Sequence, residues 1–159
     1  LSEYFDDQHI TDGEHLLSEY VYGEYLDEVW MRDRQVWNIT AYETERLFYL
    51  HDPLYSVIGV TDDVGALVEA YEYDPYGKRS VIIDGSDADS IVNFDATDTW
   101  QTVSPRNIRA SYTGQRLDLT TGLYYYKNRY YSPDMGRFIS RDPIGYMGGL
   151  NQYCYVLGN

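Results

Sequence analysis

Leu123-Tyr124-Tyr125-Tyr126-Lys127-Asn128-Arg129-Tyr130-Tyr131 is the stretch that decides the fold class. Tyrosine favours strands, because its ring packs on a pleated surface while its hydroxyl stays wet or finds a partner. Period-two alternation predicts Leu123, Tyr125, Lys127, Arg129 and Tyr131 on one face and Tyr124, Tyr126, Asn128 and Tyr130 on the other. Thr120-Thr121-Gly122 before it and Ser132-Pro133-Asp134-Met135-Gly136 after it are turn sequences. A strand over Ser111–Asp118 and a short one over Phe138–Ser140 complete a hairpin block. Cross-strand aromatic pairs contribute about 0.2–1 kcal/mol each, enough to pin such a block in register.

The same layout appears upstream. Ser56–Thr61, Ala66–Tyr73 and Lys78–Ile83 are predicted strands, separated by the turns Asp62-Asp63-Val64-Gly65 and Asp74-Pro75-Tyr76-Gly77. In Ala66–Tyr73, alternation places Leu67, Tyr71 and Tyr73 opposite Ala66, Val68 and Ala70. Leu47–His51 precedes this block as a further strand. Tyr20–Gly23 and Leu26–Arg32 suggest two short strands around a glycine turn, with a helix over 14–31 as the competing reading. Blocks 56–83 and 111–140 thus form a degenerate internal repeat of the kind that stacks hairpins into one continuous sheet.

Composition agrees. The chain has 19 Tyr against 4 Phe and 3 Trp, a bias that suits half-wet sheet faces or the lining of a large interior. Its net charge of −14 lacks the cationic footprint that nucleic acids and anionic membranes require, and no apolar run is long enough for a spanning helix. One cysteine, Cys154, excludes an internal disulfide framework and is read as a small packed side chain. His9, His15 and His51 have no metal-ligand spacing. The aspartates from Asp84 onward place Asp89 and Asp95 where a calcium loop of EF-hand type needs glycine and glutamate, so residues 84–105 are read as a solvated acidic loop. No cofactor motif is present. The first residues are acidic instead of basic and apolar, and Leu1 is not Met, so the chain is expected to be the C-terminal part of something longer.

Glu72-Tyr73-Asp74-Pro75-Tyr76-Gly77 resembles the Tyr-Asp motif of YD repeats. Gly114-Gln115-Arg116, Thr121-Gly122-Leu123-Tyr124-Tyr125, Arg129-Tyr130-Tyr131-Ser132-Pro133 and Gly136-Arg137-Phe138-Ile139-Ser140 resemble the core domain associated with RHS repeats. Asp142-Pro143-Ile144-Gly145, Gly148-Gly149, Asn151, Tyr153, Tyr155-Val156 and Asn159 continue the likeness. The resemblance implies a mainly β fold: an antiparallel hairpin strip, a segment of a spiralling β-shell, with an irregular C-terminal tail. Its divisions are an acidic segment over 1–19, YD-like hairpins over 20–83, an acidic linker over 84–110 and the core motif over 111–159. It further implies a secreted or cell-surface polymorphic toxin, in which this segment partners the rest of the shell and encloses a variable C-terminal payload.

By the same resemblance, Asp142 matches the first aspartate of a self-cleaving aspartyl pair, with Arg141 beside it to orient it. That chemistry needs two carboxylates sharing a proton, and the second motif would lie beyond Asn159. For the residues alone, Asp142-Pro143 is an ordinary turn. Three functions compete: a non-catalytic shell segment, half of a protease in a longer parent, and a surface- or carbohydrate-binding module. A shell turns its tyrosines inward; a glycan binder exposes them.

Overall fold

The computed structural model describes residues 5–6, 17–24, 27–38, 40–83, 92 and 98–156. Eight strands form one antiparallel meander in chain order: β1 (Phe5–Asp6), β2 (Leu17–Tyr22), β3 (Val29–Asn38), β4 (Ala41–His51), β5 (Val57–Thr61), β6 (Leu67–Tyr73), β7 (Arg79–Ile83) and β8 (Thr99–Gln101). A second, four-stranded meander holds β9 (Arg116–Leu117), β10 (Tyr124–Tyr126), β11 (Arg129–Ser132) and β12 (Arg137–Phe138). The fold is mainly antiparallel β, as expected. The hairpins do not join into one continuous sheet, because after β8 the chain leaves the ladder and crosses the face of the first sheet.

That crossing segment, Ser104–Ser111, is held by buried polar groups. Arg32, only 1% exposed, donates to the carbonyls of Arg106 (3.0 Å) and Asn107 (3.3 Å). Arg79 donates to Ile108 O at 2.9 Å. The buried carboxylate of Glu69 accepts from Tyr71 Oη, Ser104 Oγ and the Arg106 amide at 2.7, 2.7 and 2.9 Å. Three donors on one carboxylate offset the cost of taking it out of water. Ile108 then inserts into the apolar cluster of Val29, Leu47, Tyr49, Val57, Val60, Tyr71 and Val81.

Several expectations are corrected. Leu123–Tyr131 is not a single strand. Lys127 takes a positive φ of 58°, the Asn128 amide donates back to Tyr126 O, and the chain reverses into the β10–β11 hairpin. Tyr124 therefore faces Tyr131, Tyr125 faces Tyr130, and the alternation expected across Lys127 fails. The face assignment in β6 also fails. A bulge at Val60/Thr61 sets Leu67 opposite Thr61 and Glu69 opposite Val60, and an extra residue flips the faces that precede it. Val68 consequently packs with Tyr71, and Leu67 packs with Ala70, Ile82 and Val92.

The predicted strand Ser111–Asp118 is broken by a 3-10 turn at Tyr112–Gly114, where Thr113 and Gly114 have φ of 50° and 72°. Only Arg116–Leu117 enters the ladder. The segment read as an acidic loop contains β8, which pairs with β7; residues 84–91 and 93–97 lie outside the described residues. The helix considered over 14–31 gives way to β2 and β3, closed by Gly23 N donating to Glu28 O at 2.8 Å. The long β3–β4 hairpin has a charged stretch, 33–46, in which no apolar periodicity announces a strand. Cross-strand ion pairs hold it: Asp33 with Arg46 (2.6 Å) and Arg34 with Glu45 (2.9 Å).

Candidate functional site: a tyrosine cap on one end of the sheet

In the large meander the β2–β3, β4–β5 and β6–β7 turns fall at the same end. The turns after β4, β5 and β6 share one device. Asp52, Asp62 and Asp74 each accept, through Oδ1, the backbone amides two and four residues on, at 2.8–3.0 Å. Asp118 Oδ1 similarly accepts the amides two and three residues on, from Thr120 at 2.8 Å and Thr121 at 3.2 Å, ahead of Gly122, which has φ 70°. These aspartates are turn formers. In the β6–β7 turn, Asp74 and Pro75 lead to Gly77, whose φ of 84° only glycine adopts freely.

The small sheet docks on this turn through hydroxyl groups. Tyr131 Oη donates to Tyr76 O at 2.7 Å, and Tyr124 Oη donates to Gly77 O at 2.8 Å. Both donor side chains are 0% exposed. Lys78 Nζ pairs with Asp134 at 2.7 Å across the rim. The backbone must come close: a Cβ on Gly77 would lie 2.5 Å from the Tyr112 ring, and one on Gly136 2.8 Å from the Tyr76 ring. Neighbouring turns join in. Asp27, in the β2–β3 turn, accepts from Gln115 Nε2 (3.1 Å) and Lys127 Nζ (2.9 Å), and its carbonyl lies against Gly114. Val57 N, just after the β4–β5 turn, donates to Ser111 O at 3.1 Å.

Behind the hydroxyls the rings form a continuous stack. Centroids of Tyr73–Tyr112, Tyr112–Tyr124, Tyr124–Tyr131 and Tyr131–Tyr155 are 5.6, 6.3, 6.3 and 4.4 Å apart. Tyr126 meets Phe138 and Tyr155 edge-on. Burial pushes the phenols of Tyr73, Tyr126 and Tyr131 well above their ordinary value, and Tyr124 up to about 12, so all of them stay protonated donors at neutral pH. On the opposite face Tyr125 and Tyr130 stack in the open, at 5.4 Å. Most of the cluster therefore turns inward. Sequence spacing reveals the tyrosines but not their acceptors, Tyr76 O and Gly77 O, nor the flanking pairs Lys78–Asp134 and Lys127–Asp27, because those contacts join residues far apart in the chain.

Asp142 follows β12, four residues beyond Phe138. Its Oδ1 accepts the Ile144 amide at 3.0 Å, its own amide donates to Gln152 O at 2.9 Å, and Pro143 is exposed. Its Oδ2 pairs with Arg129 at 3.1 Å, and the Arg129 guanidinium lies 3.6 Å from the centre of the Phe138 ring. Arg141 instead directs Nε to Tyr153 Oη at 3.2 Å. A 3-10 turn over Gly145–Gly148, then Gly149 at φ 123°, leads to Asn151, whose Oδ1 accepts the Tyr153 amide. Arg137 bridges to Cys154, a half-buried thiol that donates to Val156 O. Burial lowers the half-buried His51 imidazole below its usual range; His9 and His15 lie outside the described residues. No group of metal-ligating side chains occurs among the described residues.

The chain is 35% identical over 118 residues to double-stranded DNA deaminase toxin A of Burkholderia cenocepacia (strain H111), covering 74% of the chain and 7% of that protein. It is 34% identical over 124 residues to toxin subunit YenC1 of Yersinia entomophaga, covering 76% and 11%. The homologues are toxin proteins of the Tc/Rhs type. Toxin protein Tse5 of Pseudomonas aeruginosa shares 42% identity over 64 residues, 38% of the chain and 5% of Tse5. The crystal structure of TcdB2–TccC3 without its hypervariable C-terminal region shares the fold, with TM-score 0.50 and 18% identity, over 94% of this chain and 9% of that one. No protein-family profile matches. The chain spans about a tenth or less of these Tc/Rhs-type proteins, so the deaminase named in one of them says nothing of this segment's own chemistry. Among the described residues no helix is long and apolar enough to cross a membrane.

Proposed function

We propose that this chain is a non-catalytic segment of an RHS/YD-type β-shell whose core motif caps the end of the hairpin strip and helps enclose a C-terminal payload. One observation carries the reading: the buried hydroxyls of Tyr124 and Tyr131 end on backbone carbonyls of the Tyr73-Asp74-Pro75-Tyr76-Gly77 turn. Carbonyls that would otherwise face solvent at the end of a strip are sealed by side chains from the next block. The inward ring stack favours this over glycan binding, since the ring stack that docks the small sheet is turned away from solvent and only Tyr125 and Tyr130 of its hairpin stack in the open. Limited proteolysis of the full-length gene product tests it. A resistant body that shields polypeptide following residue 159 supports the shell. Equal cutting of that polypeptide with and without the preceding chain overturns it, as does a gene product ending at Asn159.

A second reading, half of a self-cleaving aspartyl site, is favoured by the way Asp142 is fixed on three sides by Ile144, Gln152 and Arg129. It needs a second carboxylate beyond this chain, one acting as base toward water and the other as acid toward the amide. Cleavage of the full-length product that stops with Asp142→Asn, in a protein that still unfolds cooperatively, supports it. Cleavage that persists sinks it.

A further inference from the structure

The edge of the large sheet carries a feature that the cap does not use. Strand β8 closes the meander and is paired on one side only among the described residues, so its other side presents unpaired backbone donors and acceptors. Thr99, Trp100 and Gln101 are all exposed, Trp100 at 59%. Natural edges are blunted by very short strands, lysine, proline, bulges or a covering loop, and β8, three residues long, has the first of these. Thr99-Trp100-Gln101-Thr102-Val103-Ser104 has no charged residue and no proline, and the β7–β8 register runs without a bulge. Beyond Gln101 the chain veers from β7 and leaves an open groove of about 480 Å³ lined by Ser80, Trp100, Gln101, Thr102 and Val103. An open edge beside a pocket with an apolar wall is what strand addition requires: main-chain bonds supply affinity, and alternate side chains drop into the groove.

Charge selects the occupant. The protein carries −14, half-buried Asp98 directly precedes the edge strand, and the exposed Glu72 stands opposite groove-lining Ser80 in the ladder. A second copy of this chain would bring another −14 to the contact. We propose that the β8 edge accepts an extended, basic polypeptide segment as an added strand, with an apolar side chain beside Trp100 and Val103 and flanking Lys or Arg facing the acidic surround. The proposal is independent of the shell reading, since it needs only β7, β8 and the groove.

Two fluorescein-labelled peptides test it on the intact chain: KTVTVTVK and its acidic counterpart ETVTVTVE. Anisotropy titrations at low salt should show the basic peptide binding at least about tenfold more tightly, with the preference shrinking as salt is raised. Amide exchange at Thr99–Gln101 should slow when it binds. Trp100→Lys, and separately Thr102→Lys at an exposed groove position, should each weaken binding while leaving the melting temperature unchanged; the second variant decides if the first unfolds. No binding, equal binding of both peptides, or peptide-independent dimerisation through β8 would overturn the proposal.

Discussion

The phenol of Tyr124, in the small sheet, ends on the carbonyl of Gly77, in a turn of the large sheet, 2.8 Å away and out of contact with water. This bond joins two separately hydrogen-bonded sheets, and Ser111 Oγ lies 3.3 Å from the same phenol. Tyr124→Phe keeps the ring and leaves the Gly77 carbonyl buried without its donor. The expected cost is about 1–3 kcal/mol in urea unfolding, set by desolvation of the orphaned group. Tyr125→Phe, on the exposed face of the same hairpin, should fall within about 0.5 kcal/mol of wild type. Equal effects at the two positions would show that the cap contributes nothing through its hydroxyls.

Gly77 and Gly65 occupy equivalent positions in successive Asp turns, with φ of 84° and 86°. A Cβ at Gly65 meets open space, whereas one at Gly77 meets the Tyr112 ring at 2.5 Å. Gly65→Ala should therefore cost only the left-handed backbone penalty, about 1–2 kcal/mol. Gly77→Ala should cost that plus displacement of Tyr112, measurably more by thermal melting. The difference isolates docking from turn geometry, and it should shrink in a Tyr112→Ala background. Equal penalties would mean that the close approach does not matter.

How far the sequence discloses this architecture depends on what holds each part. Strands from β5 to β7 are legible because tyrosine and β-branched residues alternate between turns marked by Asp and Gly. The 33–46 stretch of β3–β4 is not, because its stability comes from ion pairs such as Asp33 with Arg46, which appear only once the strands face each other. The misjudged face of β6 has a local cause: the bulge opposite Thr61 is invisible to any fixed period of two. Lys127 hid the β10–β11 reversal, since a lysine at positive φ is an uncommon turn residue and tyrosines continue on both sides of it. At the candidate site, the tyrosines were visible as a class, but their acceptors are backbone carbonyls, and no side-chain pattern advertises those. The pairing of Asp142 with Arg129, thirteen positions before it, was obscured by the nearer Arg141.

Alkaline pH should open the cap. The folded-state value for Tyr124 is about 12, and burial raises Tyr73 and Tyr131 as well, against about 10 for an unfolded tyrosine. Below pH 10 both states are protonated and the stability is intact. Between 10 and 12 the unfolded chain loses protons that the folded one retains, so stability falls as pH rises. Urea midpoints measured from pH 8 to 12 should decline steeply above 10, with the spectroscopic ionisation of the buried phenols coinciding with unfolding. Tyr124→Phe should flatten the slope. A midpoint independent of pH across that window contradicts the burial of these hydroxyls.

Arg129 and Arg141 make opposite demands on the tail. Arg129 binds Asp142 Oδ2 while stacked on Phe138, so it ties the residues after β12 to the ring cluster; Arg141 reaches only an exposed tyrosine hydroxyl. A partly buried ion pair braced by a ring loses more on truncation than an exposed contact does, because the remaining carboxylate keeps its desolvation cost. Arg129→Ala should accelerate amide exchange at Ile144 and Gly145, whose amides bond to Asp142, and lower the melting temperature by several degrees. Arg141→Ala should leave both unchanged. Arg129→Lys keeps charge but loses the planar stack on Phe138, so it should recover only part of the protection. If Arg141→Ala proves the more damaging of the two, Asp142 is held from its neighbour in sequence and not from across the hairpin.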